Sequence, residues 1–171
     1  VTRVTEKLLK EETSFTLPRK FKIAFSGCGR DCAGCAVNDL GFLAAKENGT
    51  RGFKIFTGGG MGAKSRLGKV LEEFLPEEQT GLCVEAVKNV YYTHGDRRNK
   101  HHNRLRFLLE DMGFNSFRKL YLDEFKRLKA GGEWVFSYNG ESAEKEELSE
   151  VGINSPFVDE PADNDERYRH F

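Results

Sequence analysis

The spacing of apolar residues changes twice along the chain, and each change predicts a different kind of element. Phe21, Ile23 and Phe25 alternate with Lys22 and Ala24, the period of two of a half-buried strand. Residues 39–46 and 52–57 are two further β-like runs, and Glu47-Asn48-Gly49-Thr50 between them carries the Asn-Gly pair of a tight hairpin. From Ser65 onward the period becomes helical. Leu67, Val70, Leu71 and Phe74 recur at i, i+3, i+4 and i+7 until Pro76 interrupts them. Three more such stripes follow: Cys83, Ala86, Val87, Val90 and Tyr91; Leu105, Leu108, Leu109 and Met112; then Phe117, Leu120, Tyr121, Phe125 and Leu128. Residues 2–12 read as a short polar helix, closed off by Leu17-Pro18 because proline disfavours helix in the residue before it. Strands first and helices afterwards predict an α+β fold, a mixed β-sheet with helices packed on one face.

Gly131-Gly132 marks a boundary. Beyond it residues 134–138 could add one short strand, and the rest is acidic and rich in turn formers, read as a linker. The expected division is residues 1–14 as the end of a preceding module, 15–130 as the main domain, and 131–171 as an acidic extension.

Charge sharpens this division. The 171 residues carry 27 basic and 27 acidic side chains, yet residues 133–171 hold 11 acidic and 3 basic ones, leaving 24 basic against 16 acidic before them. A body of net +8 suits an anionic partner such as nucleic acid, an acidic cofactor or a small oxyanion. No apolar run approaches the ~20 residues of a membrane-spanning helix, so no membrane partner is expected. The chain opens on Val1 without a signal-peptide pattern, and is expected to be an excised piece of something longer. With no sign of an oxidising compartment the cysteines are expected to be reduced and the location cytoplasmic.

Three features could carry chemistry. Cys28, Cys32 and Cys35 crowd one loop at C-x3-C-x2-C spacing, where thiolates could converge on zinc or an iron–sulfur cluster; Cys83 sits on the apolar face of its helix. Residues 58–65, Gly-Gly-Gly-Met-Gly-Ala-Lys-Ser, lie between a predicted strand and a predicted helix. They nearly match a phosphate-binding loop, but Ala63 replaces the glycine before the lysine, and the alternatives are an anion cradle at a helix N-terminus or a tight glycine turn. Two basic clusters complete the set: Arg19, Lys20 and Lys22, and the run from His94 to Arg104, in which Arg97, Lys100 and Arg104 would share a face if helical. The residues alone leave open a stand-alone Cys-rich metal-binding module and a basic nucleic-acid-binding module. The second is disfavoured because the basic run lacks interleaved aromatics for base stacking.

Several spaced motifs also occur in one consistent order: Leu17-Pro18-Arg19-Lys20-Phe21-Lys22, Asn38-Asp39-Leu40-Gly41-Phe42, Gly52-Phe53-Lys54-Ile55-Phe56-Thr57-Gly58-Gly59-Gly60, Gly95-Asp96-Arg97-Arg98-Asn99-Lys100, Arg104-Leu105-Arg106-Phe107-Leu108-Leu109 and Gly113-Phe114-Asn115-Ser116-Phe117-Arg118. Together they resemble the sirohaem-dependent nitrite and sulfite reductases over about residues 15–128. Members of that family have two pseudo-symmetric halves, and the chain is similar to the larger domain of the first half. The resemblance implies a six-electron reduction of sulfite to sulfide or nitrite to ammonia, with sirohaem, a [4Fe–4S] cluster and an electron donor such as ferredoxin or a flavoprotein. It implies that Lys20 and Lys22 meet the substrate oxyanion and that Arg19, Gly58, Gly59, Gly60, Asn99, Lys100 and Arg104 hold the carboxylates of sirohaem. The family's cluster is held by a C-x5-C and a C-x3-C pair in the second half. Cys28 and Cys32 have the second form, and no C-x5-C exists here. Cys28, Cys32 and Cys35 are therefore read as vestigial metal ligands, and the isolated chain is expected to be inactive and without cofactor, completed by the second half of the same polypeptide.

Overall fold

In the computed structural model, residues 1–62 and 64–132 are described; the strand expected at 134–138 and the acidic extension lie outside them. Four strands form one mixed sheet in the order β1-β2-β3-β4: β1 (Ile23–Ser26), β2 (Leu40–Glu47), β3 (Thr50–Thr57) and β4 (Lys69–Pro76). β1 runs parallel to β2, with Ile23 opposite Leu40, and the other two pairings are antiparallel. The β2–β3 hairpin turns on Asn48 and Gly49, whose φ angles of 49° and 82° give the primed two-residue turn that Asn-Gly favours.

Parallel neighbours need a long crossover, and here the cysteine loop between β1 and β2 provides it. The period of two then sorts the sheet into two faces. Ile23, Phe25, Leu40, Phe42, Phe53, Ile55, Leu71 and Leu75 face the helices. Cys35, Leu43 and Phe56 face the other way, packed with Ala24, Ala36 and Val70 beneath the crossover. Gly41 is required there, because any side chain would collide with the Cys35 backbone. The rings of Phe25 and Phe42 stack at 4.5 Å and Phe53 meets both edge-on.

Helices α2 (Thr80–His94), α3 (Leu105–Met112) and α4 (Phe114–Ala130) follow the three later stripes. Their apolar residues, among them Leu82, Val87, Tyr91, Leu105, Leu109, Phe117 and Tyr121, close the main core, each large side chain contributing about 1.5–3 kcal/mol on burial. α1 (Thr2–Leu8) is shorter than expected, and a single 3-10 turn (Glu12–Phe15) succeeds it. The cause is a pull from α2. The fully buried Lys88 ammonium bonds to the carboxylate of Glu11, to Thr13 Oγ1 at 2.9 Å and to Glu85 at 2.9 Å, tying the chain down after α1.

The expectation of a helix through Leu67, Val70, Leu71 and Phe74 is corrected: residues 69–76 are β4. Phe53 pairs with Leu75, Ile55 with Glu72 and Phe56 with Val70, so β4 carries an extra residue at each of two irregularities. Those bulges break strict alternation and bring apolar residues to a spacing that imitates a helical stripe. Leu67 lies before the strand and is 52% exposed. Pairing with β3 overrides the helix preference of Lys, Leu and Glu.

Candidate functional site

The starts of β1, β2 and β4 and the end of β3 lie at one end of the sheet, and the N-terminus of α3 joins them through one buried carboxylate. Asp39, with no exposed surface, accepts the Lys22 backbone N–H at 2.8 Å and a two-pronged contact from Arg104, Nε to Oδ1 at 3.2 Å and Nη2 to Oδ2 at 2.7 Å. Its carbonyl accepts Gly58 N–H at 2.9 Å and Thr57 Oγ1 at 3.2 Å. One residue thus sets the lead-in to β1, the glycine turn and the entry to α3 against one another. The family resemblance implies Arg104 as a direct contact for a sirohaem carboxylate, and nothing in the sequence around Asp39 marks it as the residue that holds Arg104. The structure commits two of the guanidinium nitrogens to that carboxylate, a buried charge-assisted pair.

The second basic run is a loop, since α2 ends at His94 and α3 begins at Leu105, so the helical condition for Arg97, Lys100 and Arg104 to share a face is not met. Asp96 caps the turn by accepting Arg98 N–H at 2.7 Å and Asn99 N–H at 3.4 Å, and Asn99 Oδ1 accepts His101 N–H at 3.1 Å. The loop is fastened to the first cluster. Tyr91 OH donates to Asn103 O at 2.6 Å, Asn103 Nδ2 donates to Pro18 O at 3.0 Å, and Arg97, stacked 4.8 Å from the Tyr92 ring, reaches Thr16 O at 3.4 Å. Burial and the charge of Asp39 raise the Tyr91 hydroxyl far above the ordinary range, so it stays a donor. Arg19, Lys20 and Lys22 are therefore joined to the segment bearing Asn99 and Lys100. All five are exposed, and among the described residues no carboxylate pairs with Arg19, Lys20, Lys22 or Lys100.

Gly58, Gly59 and Gly60 are buried, and a strand follows them, not a helix; Gly60 and Arg66 exchange backbone hydrogen bonds at 3.0 and 2.9 Å to close the loop. Gly58 N–H is held by Asp39 and Gly60 N–H by Arg66, so two of the three amides serve the fold. The glycines are demanded by space. A side chain at Gly59 would strike the carbonyls of Ala36 and Asn38, and Gly58 has φ of 77° with Leu109 Cδ2 2.6 Å from where a β-carbon would sit. The corresponding point on Gly60 lies 2.9 Å from Arg106 Nη1.

Arg106, two residues after Arg104, carries no signal of a site in the sequence alone. Its guanidinium sits 4.6 Å over the Phe107 ring, and its Nε and Nη1 are buried without a hydrogen-bond partner. Donors left bare in that way, beside a turn with no side chains, suit a carboxylate or another oxyanion. Met61, 71% exposed, directly follows the three glycines.

The cysteine loop is ordered from within. Asp31, at φ of 50°, accepts Cys35 N–H at 2.6 Å and Ala36 N–H at 3.2 Å, and Ala36 O accepts Gly68 N–H at 2.6 Å. Cys28 and Cys32 bring their sulfurs to 3.3 Å. A hydrogen bond from the Cys32 thiol lowers Cys28 to about 7, and the same contact raises Cys32. Cys35 turns away, its buried Sγ donating to Phe42 O at 3.3 Å, and burial pushes its thiol up to about 12. Cys83 is buried in the helical core, also at about 12. Among the described residues no three His, Cys, Asp or Glu side chains gather where a metal ion could bind. The three loop cysteines do not converge as their spacing suggested, because Cys35 serves the packing of the crossover on the sheet.

A mixed sheet with helices on one face, and a cation-rich end built around a buried Asp–Arg pair, define an α+β domain. The nitrite and sulphite reductase 4Fe-4S domain matches residues 1–129, and the chain belongs to that family. It is 29% identical over 148 residues to an assimilatory ferredoxin-dependent nitrite reductase of Haloferax mediterranei, covering 80% of this chain and 25% of that one. It is 39% identical over 105 residues to the sulfite reductase [NADPH] hemoprotein beta-component of Myxococcus xanthus, covering 57% of this chain and 18% of the relative. Among solved structures, the Mycobacterium tuberculosis NirA protein superposes with a TM-score of 0.65 at 26% identity, over 74% of this chain and 24% of that one. A dissimilatory sulfite reductase I shares the fold, with a TM-score of 0.52 at 12% identity, over 89% of this chain and 51% of that one. The chain thus spans a quarter or less of the two curated relatives. The family name implies a [4Fe–4S] cluster, and the described cysteines do not make its site: two thiols meet, and the other two are buried elsewhere.

Proposed function

We propose that this chain is the part of a longer sirohaem-dependent nitrite or sulfite reductase that holds the anionic cofactor and the substrate oxyanion. One observation carries the reading: Arg19, Lys20, Lys22 and Lys100, exposed and unpaired with any carboxylate among the described residues, lie on segments fastened to the sheet end where Arg106 keeps two buried donors without partners. Sirohaem carries eight carboxylates, and this set fits such a group, since a polyanion removed from water must be met by cations and N–H donors. When bound, the haem iron supplies the centre for a six-electron reduction of sulfite to sulfide or of nitrite to ammonia. The chain's own residues do the rest of the work assigned to it. Arg19, Asn99, Lys100 and Arg106 hold carboxylates, and the Gly58–Gly60 turn admits them closely because it has no side chains. Lys20 and Lys22 hold the oxyanion and, as ammonium groups, donate protons as its oxygens depart. Arg104 acts through Asp39, fixing where Lys22 and the turn stand. The second half of the polypeptide provides the cluster thiolates, and a ferredoxin or a flavoprotein provides electrons.

The test uses the full-length protein. Lys22→Met should lower kcat/KM for sulfite or nitrite by roughly ten- to a hundredfold, as for loss of a preorganised charge, while the haem absorption per chain stays constant. An unchanged kcat/KM in both Lys20→Met and Lys22→Met would remove these lysines from the reaction. A full-length protein without a Soret-type band after reconstitution would remove the cofactor.

A further inference from the structure

Cys28 and Cys32 answer to no role in the proposed reductase chemistry, yet they are the two accessible thiols of the described residues. Their sulfurs stand 3.3 Å apart. A disulfide needs about 2.05 Å, so the sulfurs have roughly 1.3 Å to close. The backbone between them is already bent for it. Asp31 N–H donates to Cys28 O at 3.3 Å, Ser26 Oγ donates to the same carbonyl at 3.1 Å, and the Asp31 side chain anchors the far end of the loop on Cys35 and Ala36. None of these bonds uses a sulfur, so joining the thiols breaks none of them. The other two cysteines are withdrawn: Cys35 and Cys83 have no exposed surface. Among the described residues no third ligand approaches the pair to make it a metal site.

We propose that Cys28 and Cys32 form a thiol–disulfide exchange site that accepts low-molecular-weight disulfides as oxidant. The Cys28 thiolate attacks one sulfur of the small disulfide, forming a mixed disulfide and releasing one small thiolate. The Cys32 thiolate then attacks Cys28 Sγ, releasing the second small thiolate and leaving the Cys28–Cys32 bond. The pair loses two electrons and two protons overall, and the small disulfide gains them as two thiols. Exposed Arg30, between the two cysteines in sequence, suits an anionic disulfide. The site is independent of the reductase reading, and would stand if that reading fell.

Glutathione disulfide is the probe. The folded 171-residue chain is treated with it, quenched with iodoacetamide and digested with trypsin, which cuts after Lys22, Arg30 and Lys46 and so separates Cys28 from Cys32 and Cys35. The expected result is near-complete loss of alkylation at Cys28 and Cys32 and a linked pair of peptides, 23–30 with 31–46, that dithiothreitol separates. The link should persist in Cys35→Ser. It should vanish in Cys32→Ser, where a glutathione adduct accumulates on Cys28, with far-UV circular dichroism unchanged in each variant. Full alkylation of both thiols after treatment, an unresolved adduct in the parent chain, a link that disappears in Cys35→Ser, or iron or zinc bound to the pair in the protein as isolated would each overturn the proposal.

Discussion

Replacing Asp39 by Ala tests whether the cationic end is organised from below. The carboxylate is fully buried and Arg104 is 15% exposed, so the substitution strands a charged guanidinium with little water to replace its partner. Breaking a buried pair from one side costs about 3–5 kcal/mol. The lost acceptor for Lys22 N–H adds about 1 kcal/mol, near the mean for a protein hydrogen bond. A loss of about 4–6 kcal/mol is a large share of the ~5–15 kcal/mol by which domains are stable. Asp39→Asn keeps the shape and one acceptor oxygen, and should lose about half as much, since charge-assisted bonds are roughly twice as strong as neutral ones. The assay is urea denaturation followed by far-UV circular dichroism, with the slope required to stay constant so that the midpoint reports stability. Adding Arg104→Met to Asp39→Ala removes the stranded charge. The double variant should be more stable than the summed single effects by at least ~1 kcal/mol, the signature of a coupled pair. Strict additivity, or a loss below about 1 kcal/mol for Asp39→Ala, would refute the assignment of Asp39 as the anchor.

Gly59→Ala should destabilise the chain by about 1–3 kcal/mol, read as a drop in thermal midpoint, because its methyl meets two backbone carbonyls that cannot step aside. Burial holds Glu85 above its usual 4.5, so the folded state binds the extra proton just above that pH; the stability linked to this group is complete below 4.5 and lost as pH rises through the raised value. Glu85→Gln should flatten that part of the profile of urea midpoint against pH, and an unchanged profile counts against the burial argument. The rate of iodoacetamide alkylation should rise with pH about a midpoint near 7 at Cys28, while Cys35 and Cys83, at about 12, stay unreactive in the folded chain.

What the sequence makes legible here is what is local. The Asn48-Gly49 turn and the stripes of α2, α3 and α4 depend on neighbours within a few residues, and each lies where its pattern says. β4 was hidden because its two bulges belong to its pairing with β3 and cannot be seen from β4 alone. The basic residues were legible as a set, but their division was not. Arg104 and Lys22 read as similar cations until Asp39, far from Arg104 in sequence, takes the first and leaves the second's ammonium unpaired. Arg106 lacked any local signal, since its two bare donors are recognisable only once Phe107 and Gly60 surround it. Cys35 shows the converse. Spacing grouped it with Cys28 and Cys32, and the need to seal the crossover against Phe42 and Ala24 separated it.

That division of the cations bears on why a buried ion pair stands at this end. Such pairs are weak evidence of stability, because their desolvation cost is comparable to their attraction, and apolar replacements are often as stable. Lys88, with Glu11 and Glu85, ties down the lead from α1 through its bonds to Glu11 and Thr13. Asp39 and Arg104 are placed differently: their contacts run to Lys22, Thr57, Gly58 and the start of α3, the segments that carry the exposed lysines, the glycine turn and Arg106. A hydrophobic pair could fill the same volume without fixing those segments in register. Exposed like charges repel, and an ammonium on a free loop moves away from its neighbours unless the backbone beneath it is held. The Asp39–Arg104 pair supplies that restraint, so its value lies in where it keeps other charges. An Asp39→Leu, Arg104→Met chain should accordingly be close to the parent in stability and yet bind inorganic phosphate or sulfite more weakly at the cationic end, a separation that a purely structural ion pair would not produce.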